Sequence, residues 1–171
     1  MKRFLVVLIM VCMTISGVYA QVRIDLGVDI PLNINAISTE EDTEGINIPF
    51  TFPFPSAALY YTFNTDHWTF GLGARAYSLI LITAAWPNLL VEYNIGPIAL
   101  AAQAGGGVFG IFGLINTVET GSVFIPDLSA WLKIGNTFRL GGGAMGFFVP
   151  ELSDTVLPIV FYIGIKGAIK F

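Results

Sequence analysis

The chain has 171 residues, of which 54% are hydrophobic and 12% are charged, and its formal net charge is −4. This length suits one domain, and a soluble protein of this composition would lack the polar side chains to cover its surface. No apolar run beyond residue 20 reaches the length of about 18 residues that a membrane-spanning helix needs. The remaining way for such a chain to enter a membrane is a closed β-barrel, in which neighbouring strands satisfy every backbone hydrogen bond.

The N-terminus has the organisation of a secretory signal peptide. Two basic residues precede an apolar run over residues 4–11, and Val18 and Ala20 have the short side chains that favour cleavage after Ala20. We predict that residues 1–20 are a cleaved signal peptide and that residues 21–171 form the mature protein. An uncleaved N-terminal membrane anchor is the alternative.

Alternation of apolar and polar residues is clearest in the first and last predicted strands. Between residues 22 and 30 the even positions are apolar, whereas the odd positions carry Arg23, Asp25 and Asp29. Successive side chains of a strand point to opposite faces, so one face of such a strand is apolar and the other polar. Short turn signals, such as Gly96-Pro97, separate further segments of this kind. The pattern predicts an all-β fold, a transmembrane antiparallel up-and-down β-barrel of about eight strands, at residues 22–31, 55–64, 68–80, 88–95, 98–109, 123–134, 137–148 and 158–171.

Every basic residue of the predicted mature chain lies at a position on the polar face of a predicted strand, and so do four acidic residues. A charge on the lipid face would cost about 2–4 kcal/mol near the membrane centre, so this segregation suits a transmembrane barrel with charges in its lumen. Parity alone does not say which face is inside, and a secreted soluble barrel is the alternative. The scarcity of charge favours the membrane. The predicted lumen charge network consists of Arg23, Asp25, Asp29, Arg75, Glu92, Asp127, Lys133, Arg139, Lys166 and Lys170.

Long predicted connections alternate with the short turns, as in barrels that have short periplasmic turns and long external loops. The first loop, residues 32–54, carries acidic charges, as do the third and fourth; these would attract cations or simply be solvated. The second loop, residues 82–88, is nearly apolar. Aromatic residues beside the short turns are expected to form a girdle at the membrane interface. The acidic loop residues are Glu40, Glu41, Asp42, Glu44, Glu119, Glu151 and Asp154, and the girdle residues are Phe63, Trp68, Tyr93, Phe138 and Phe171.

The end of the chain has the form of a barrel-assembly signal. Apolar or aromatic residues occupy alternate positions up to a terminal phenylalanine, namely Phe161, Ile163, Ile165, Ile169 and Phe171. With this ending and this strand layout, the chain resembles the small eight-stranded bacterial outer-membrane β-barrel proteins of the OmpW, OmpX and OmpA-barrel kind. The resemblance implies export by the signal peptide, a location in the bacterial outer membrane in contact with its lipid, and recognition of the C-terminal segment by the barrel-assembly machinery.

Catalytic and cofactor chemistry is not expected. Some barrels of this kind modify lipid A, which requires a histidine with serine or acidic partners, but the only histidine, His67, has no serine placed beside it. The single cysteine, Cys12, lies in the predicted signal peptide, so neither a disulfide nor a metal site is expected. Residues 105–107 and 141–143 are glycine triplets inside predicted strands, and because no lysine followed by serine or threonine comes after them, they are not phosphate-binding loops. We expect them to allow strand curvature; the alternative is that they widen the lumen. We expect no catalytic, metal or cofactor site and no nucleic-acid partner.

Two functions are consistent with such a barrel. The first is a narrow pore or pathway for small, mainly apolar solutes, as the resemblance to OmpW-like barrels implies. Solute would arrive near Trp86 in the second loop and leave sideways, because polar groups block the lower lumen. The alternative is a plugged structural or adhesive barrel that acts through its acidic extracellular loops; salt bridges across the lumen would favour it. The predicted upper chamber is lined by Tyr77, Leu79, Trp86, Ala99, Ala101, Gln103 and Phe109.

Overall fold

The computed structural model describes residues 19–38, 47–48, 52–79, 82–106, 109–113, 119–121, 123–148 and 156–171. Most of these residues belong to eight long strands whose alternating side chains face the two sides of one sheet. The strands are β1 (Tyr19–Ser38), β2 (Phe54–Asn64), β3 (Trp68–Leu79), β4 (Ile82–Ile95), β5 (Ile98–Gly106), β6 (Phe124–Ile134), β7 (Phe138–Gly146) and β8 (Val156–Lys170).

The sheet closes on itself. Each strand pairs antiparallel with the next one along the chain, and β8 pairs with β1. At this seam the pairs run from Arg23 with Lys170 to Ser38 with Val156, with one irregularity at Pro31. The predicted all-β, antiparallel, up-and-down barrel of eight strands is therefore confirmed, and it is the fold that the resemblance to small outer-membrane barrels implied.

In the part of the chain that the structure describes, no helix is long and apolar enough to cross a membrane.

Three tight turns join strands at one end of the barrel, which we call the turn end. In the turn between β2 and β3, Thr65 N–H donates a hydrogen bond to Trp68 O over 2.8 Å. In the other two turns, Gly96 and Gly135 have positive φ angles of 55° and 64°. All three turns lie where the turn signals predicted them. The opposite end, where β1 connects to β2, β3 to β4, β5 to β6 and β7 to β8, is called the loop end.

The prediction of an apolar second loop is wrong. β4 begins at Ile82, which pairs with Leu79, so residues 83–86 belong to a strand. Their apolar character has another cause, because Ala84 and Trp86 face an apolar part of the lumen. A strand that is apolar on both faces shows no alternation, and the pattern therefore did not reveal it.

Other boundaries at the loop end also differ from the prediction. β1 continues to Ser38 because β8 begins at Val156 and pairs with it along its whole length. β5 ends at Gly106 instead of residue 109. A short strand, Phe109–Gly113, pairs with the start of β4, and Glu119–Gly121 pairs with it in turn. A two-residue strand, Asn47–Ile48, pairs with β1.

β1 also begins earlier than predicted. Tyr19 pairs with Asn64, and Ala20 pairs with Phe63. The rest of the predicted signal peptide lies outside the described residues, and cleavage after Ala20 stays a prediction. Cleavage at that position would remove these two pairs from the seam between β1 and β2.

The two faces of the barrel differ in polarity. Outward positions are apolar and exposed; the side chain of Leu128, for example, is 67% exposed. Inward positions bury large side chains such as Tyr60, Leu90 and Trp131 together with charged groups. The lumen is therefore the core of the protein.

Candidate functional site in the barrel lumen

The structure places all ten residues of the predicted charge network on inward positions. They occupy odd positions of β1, β3, β6 and β7 and even positions of β4 and β8, as the alternation of each strand requires. Arg23 is fully buried, and Glu92 and Asp127 are 1% exposed. Only Lys170, at the end of β8, is exposed, while Lys133 is half-buried. Buried charges of this kind require partners, and most of them have one.

A lower network, near the turn end, is built around Arg23. Its Nε and Nη2 atoms donate hydrogen bonds to the two carboxylate oxygens of Asp25 over 2.7 and 2.8 Å. Its Nη1 atom donates to Glu92 Oε2 over 2.9 Å, and Arg139 Nη1 donates to the same oxygen over 2.6 Å. The other oxygen of Glu92, Oε1, is buried and has no hydrogen-bond partner among the described residues.

Lys166 extends the lower network towards the opposite wall. Its Nζ lies 4.0 Å from Asp25 Oδ2 and 3.8 Å from the ring centroid of Trp131. The ammonium group is therefore stabilised by a carboxylate and by the face of an indole ring. The indole N–H of Trp131 donates to Ser129 Oγ over 2.9 Å, which fixes the orientation of the ring.

An upper network is built around Arg75. Its Nη1 atom donates to Asp127, and its Nη2 atom donates to the hydroxyl of Tyr77. Asp29 Oδ2 lies 3.8 Å from Nη2 and accepts a hydrogen bond from Tyr77 Oη over 2.7 Å. The hydroxyl of Tyr162 donates to both oxygens of Asp127, over 2.8 and 3.0 Å. One guanidinium thus joins two carboxylates from opposite sides of the lumen.

Uncharged polar side chains occupy the space between the two networks. Gln103 Oε1 accepts hydrogen bonds from Arg75 Nη1 over 3.2 Å, from Tyr60 Oη over 2.9 Å and from Asn88 Nδ2 over 2.7 Å. Asn88 Nδ2 also lies 2.6 Å from Tyr60 Oη. The lumen is therefore crossed from wall to wall by hydrogen-bonded side chains, and this middle section is filled rather than open.

Above the Arg75 network lies an apolar cavity of about 330 Å³ that opens towards the loop end. Tyr77 and Trp86 stack on each other in its wall, with ring centroids 5.8 Å apart. Gly105 makes room for this arrangement, because a Cβ atom there would overlap the indole of Trp86. Beyond these residues the cavity is lined by Asp29, Pro31, Phe54, Ala84, Met145, Phe147, Pro158, Val160 and Tyr162.

The structure brings only some of the residues predicted for the upper chamber to this cavity. Tyr77 and Trp86 line the cavity, but Trp86 is a buried strand residue and not part of a loop. Gln103 belongs to the polar network below the cavity. Ala99 and Ala101 lie close to the turn end, because β5 starts at the Gly96-Pro97 turn and runs away from it. The side chains of Leu79 and Phe109 lie outside the described residues.

Sequence analysis missed part of the cavity wall. Phe54, Met145, Phe147 and Val160 line it, and all four are at inward positions of β2, of β7 and its continuation, and of β8. The alternation used for the charged residues would have found them if it had been followed to the loop end of each strand. Their apolar character hid them, because inward residues were identified by their polarity.

The lumen also opens at the turn end, where a polar pocket of about 480 Å³ is lined by Lys133, Arg139 and Lys170 together with Asn94 and turn residues. Lys133 Nζ donates to Asn94 Oδ1 over 2.9 Å. Although Lys133 was predicted to belong to the lumen charge network, it forms no ion pair with a carboxylate of the described residues. His67 is exposed in the adjacent turn and stacks on Tyr93 with ring centroids 6.1 Å apart. No group of three or more potential metal ligands occurs among the described residues.

The outer face carries the remaining predicted features. Among the outward residues that the structure describes in the eight strands, none is charged. Trp68 and Tyr93 pack together beside the turn end, with ring centroids 4.6 Å apart, and Phe138 and Phe171 are exposed there. The residues of the predicted assembly signal form an exposed apolar row on β8 and its end: Phe161, Ile163, Ile165, Ile169 and Phe171. The acidic loop residues lie outside the described side chains.

No protein-family model and no curated protein matches this chain. Among solved structures, the Neisserial surface protein A is similar at 10% identity and a TM-score of 0.45, over 89% of this chain and 99% of that one. Ail, the attachment invasion locus protein of Yersinia pestis, is similar at 12% identity and a TM-score of 0.45, over 91% and 100%. The N-terminal β-barrel domain of Pseudomonas aeruginosa OprF is similar at 9% identity and a TM-score of 0.46, over 85% and 97%. Because these TM-scores are below 0.5, no property of those proteins is carried over to this chain.

Proposed function

We propose that this protein is a bacterial outer-membrane β-barrel that receives a small apolar solute in the cavity at the loop end of its lumen. The membrane location is supported by the uncharged, apolar outer face and by the ten charged residues inside. A soluble barrel would have the opposite arrangement, with an apolar interior and charges in contact with water. The predicted signal peptide and the terminal phenylalanine support export and insertion into the outer membrane.

The observation that carries the solute proposal is the position of the apolar cavity directly above the Arg75 network. Apart from Asp29, its walls are apolar or aromatic, and its volume of about 330 Å³ suits a compound of the size of one or two aromatic rings. The network below is hydrogen-bonded across the lumen, so an apolar solute gains nothing by moving further down. Such a solute leaves sideways into the membrane instead of passing straight through to the turn end.

A binding experiment tests the cavity directly. Protein purified from membranes of expressing cells is titrated with naphthalene, and tryptophan fluorescence is followed because Trp86 lies in the cavity wall. We expect saturable quenching that is lost in Ala84→Phe, since the new ring fills the cavity. Ala74→Phe is the matched control, because Ala74 is exposed on the outer face of the adjacent strand. Equal binding by the two variants, or none by the parent protein, would contradict the proposal.

A second function is favoured by the two ion-pair networks. A lumen crossed by the side chains of Arg23, Arg75 and Arg139 is suited to a plugged structural barrel that acts through its external loops. Permeation through liposomes separates the two functions. A tight barrel that also fails to bind naphthalene favours the structural function, whereas a tight barrel that binds it favours lateral delivery of the solute.

A further inference from the structure

The charges in the lumen do not balance, and the excess is localised. Among the inward residues that the structure describes, six are cations and four are anions. All three arginines and Lys166 form ion pairs with these carboxylates. Lys133 and Lys170 form no ion pair with any residue that the structure describes. The two surplus positive charges are therefore these two lysines.

Both lysines lie at the turn end and line the same pocket of about 480 Å³. Arg139 lines it too, and the register of β6 and β7 pairs Arg139 directly with Lys133. The third cation, Lys170, is at the end of β8, the strand on the other side of β7. Three cationic side chains from three consecutive strands thus line one opening, and no described residue in its lining carries a carboxylate.

Two of these cations are held in place by neighbouring side chains. Lys133 Nζ donates to Asn94 Oδ1 over 2.9 Å, and the amide of Asn94 contacts His67 O over 3.4 Å. Arg139 is fixed by its hydrogen bond of 2.6 Å to Glu92. Glu92 is shared with Arg23, so it does not neutralise the group. Lys133 and Arg139 are therefore pre-organised at the pocket, and the three cations together retain a net positive charge.

We propose that Lys133, Arg139 and Lys170 form a binding site for a phosphate-bearing anion at the turn-end mouth of the barrel. Like charges held close together are unfavourable unless a counter-ion joins them. A phosphate group has oxygens enough to accept charge-assisted hydrogen bonds from two ammonium groups and a guanidinium at once. The phosphate belongs either to a free anion or to the headgroup of a phospholipid. This site is independent of the apolar cavity, which lies at the other end of the lumen.

Titration of the purified protein in a zwitterionic detergent at low ionic strength tests this site. Inorganic phosphate and phosphatidylglycerol, added in mixed micelles, are the two probes, with calorimetry as the readout. We expect binding that weakens as NaCl is raised, because Lys133 is half-buried and Lys170 is exposed, so that salt screens their contacts with the anion. The double variant Lys133→Gln, Lys170→Gln is expected to weaken binding by about tenfold or more, whereas Lys133→Arg, Lys170→Arg retains it.

The outcomes separate the two sources of phosphate. Binding of inorganic phosphate assigns the site to a free anion, and binding of phosphatidylglycerol alone assigns it to a lipid headgroup. Absence of binding by both probes, or equal binding by the glutamine and parent proteins, would overturn the proposal. A heat-dependent shift in gel mobility checks that the glutamine variant is a closed barrel. Its naphthalene binding should be unchanged. A loss of phosphate binding at the turn end is thereby distinguished from a loss of solute binding in the apolar cavity at the loop end.

Discussion

Arg23 and Arg139 donate hydrogen bonds to the same atom, Glu92 Oε2, over 2.9 and 2.6 Å. The two arginines come from β1 and β7, and the glutamate comes from β4 on another side of the barrel. All three side chains are buried, so the single carboxylate keeps two guanidinium groups from facing each other without a counter-charge. This contact joins three parts of the wall through the lumen.

Replacing Glu92 by glutamine is therefore expected to be strongly destabilising. The variant keeps the shape of the side chain but leaves the two buried arginines with a single carboxylate, that of Asp25, which is bonded to Arg23. We expect the free energy of unfolding to fall by about 3–5 kcal/mol, measured by urea titration in detergent with tryptophan fluorescence. Asp66→Asn, in an exposed turn, is the control and should change it by less than about 0.5 kcal/mol. Similar losses in both variants would show that the shared contact has no special role.

Removing the hydroxyl of Tyr162 should weaken the upper network. Tyr162→Phe deletes the hydrogen bonds of 2.8 and 3.0 Å to the carboxylate of Asp127 without changing the packing of the ring. Because the acceptor is charged and buried, we expect a loss of about 1.5–3 kcal/mol in the same unfolding measurement. Tyr61→Phe makes the matched change on the outer face, where Tyr61 is 51% exposed, and should be nearly neutral. If Tyr162→Phe were also neutral, the hydrogen bonds from Tyr162 to Asp127 would contribute nothing to the free energy of unfolding.

A methyl group at Gly105 should disturb the apolar cavity. Its Cβ would overlap the indole of Trp86, so this ring, which stacks on Tyr77, has to shift from its position. We expect a loss of about 1–3 kcal/mol in unfolding free energy and a shift in tryptophan emission. Gly167→Ala is the control, because the nearest atoms to its Cβ would be 3.8 Å away. An unchanged emission spectrum in Gly105→Ala would mean that Trp86 does not pack against residue 105.

A depth test checks the membrane embedding. Leu128 and Ile134 are both outward residues of β6, but Leu128 lies in the middle of the strand and Ile134 at its turn end. In lipid bilayers, Leu128→Arg is expected to cost about 2–4 kcal/mol and Ile134→Arg about 0–1 kcal/mol, because the penalty falls towards the interface. Folding titrations in vesicles measure both. Two equally small effects would indicate a barrel whose outer face contacts water.

Strand alternation was sufficient to predict which charged side chains enter the lumen. Residues such as Arg75 and Asp127 were placed inward from their position relative to apolar neighbours, since the parity of a strand is a local property. The pairing partners were not predictable in the same way. Arg23 contacts Glu92, 69 residues away, and this contact depends on the tilt and stagger of all the strands in the closed barrel. Local patterns contain no information on that stagger.

The loop end was predicted less well than the turn end. Polar turn residues mark the turns at Gly96 and Gly135, whereas the connection after Leu79 leads directly into an apolar strand. Trp86 was therefore assigned to a loop, although it is 5% exposed inside the barrel. Near the loop end the inward side chains of this strand become apolar like the outward ones. The alternation of polar and apolar residues, on which the strand prediction relies, is therefore lost.

The pairing of Arg23 with Asp25 has a consequence for the order in which the barrel forms. The two residues are two positions apart on one strand, so their bidentate contact can form before any hairpin has paired. The contacts of Glu92 with Arg23 and Arg139 span 69 and 47 residues and require β1, β4 and β7 to surround one lumen. During the membrane insertion that we propose, Arg23 is therefore already neutralised by Asp25, while Glu92 gains its counter-charges only when the last strands dock onto the first. Until then its charge opposes insertion of an open sheet, so the complete barrel is the only state in which every inward carboxylate of the lower network is matched.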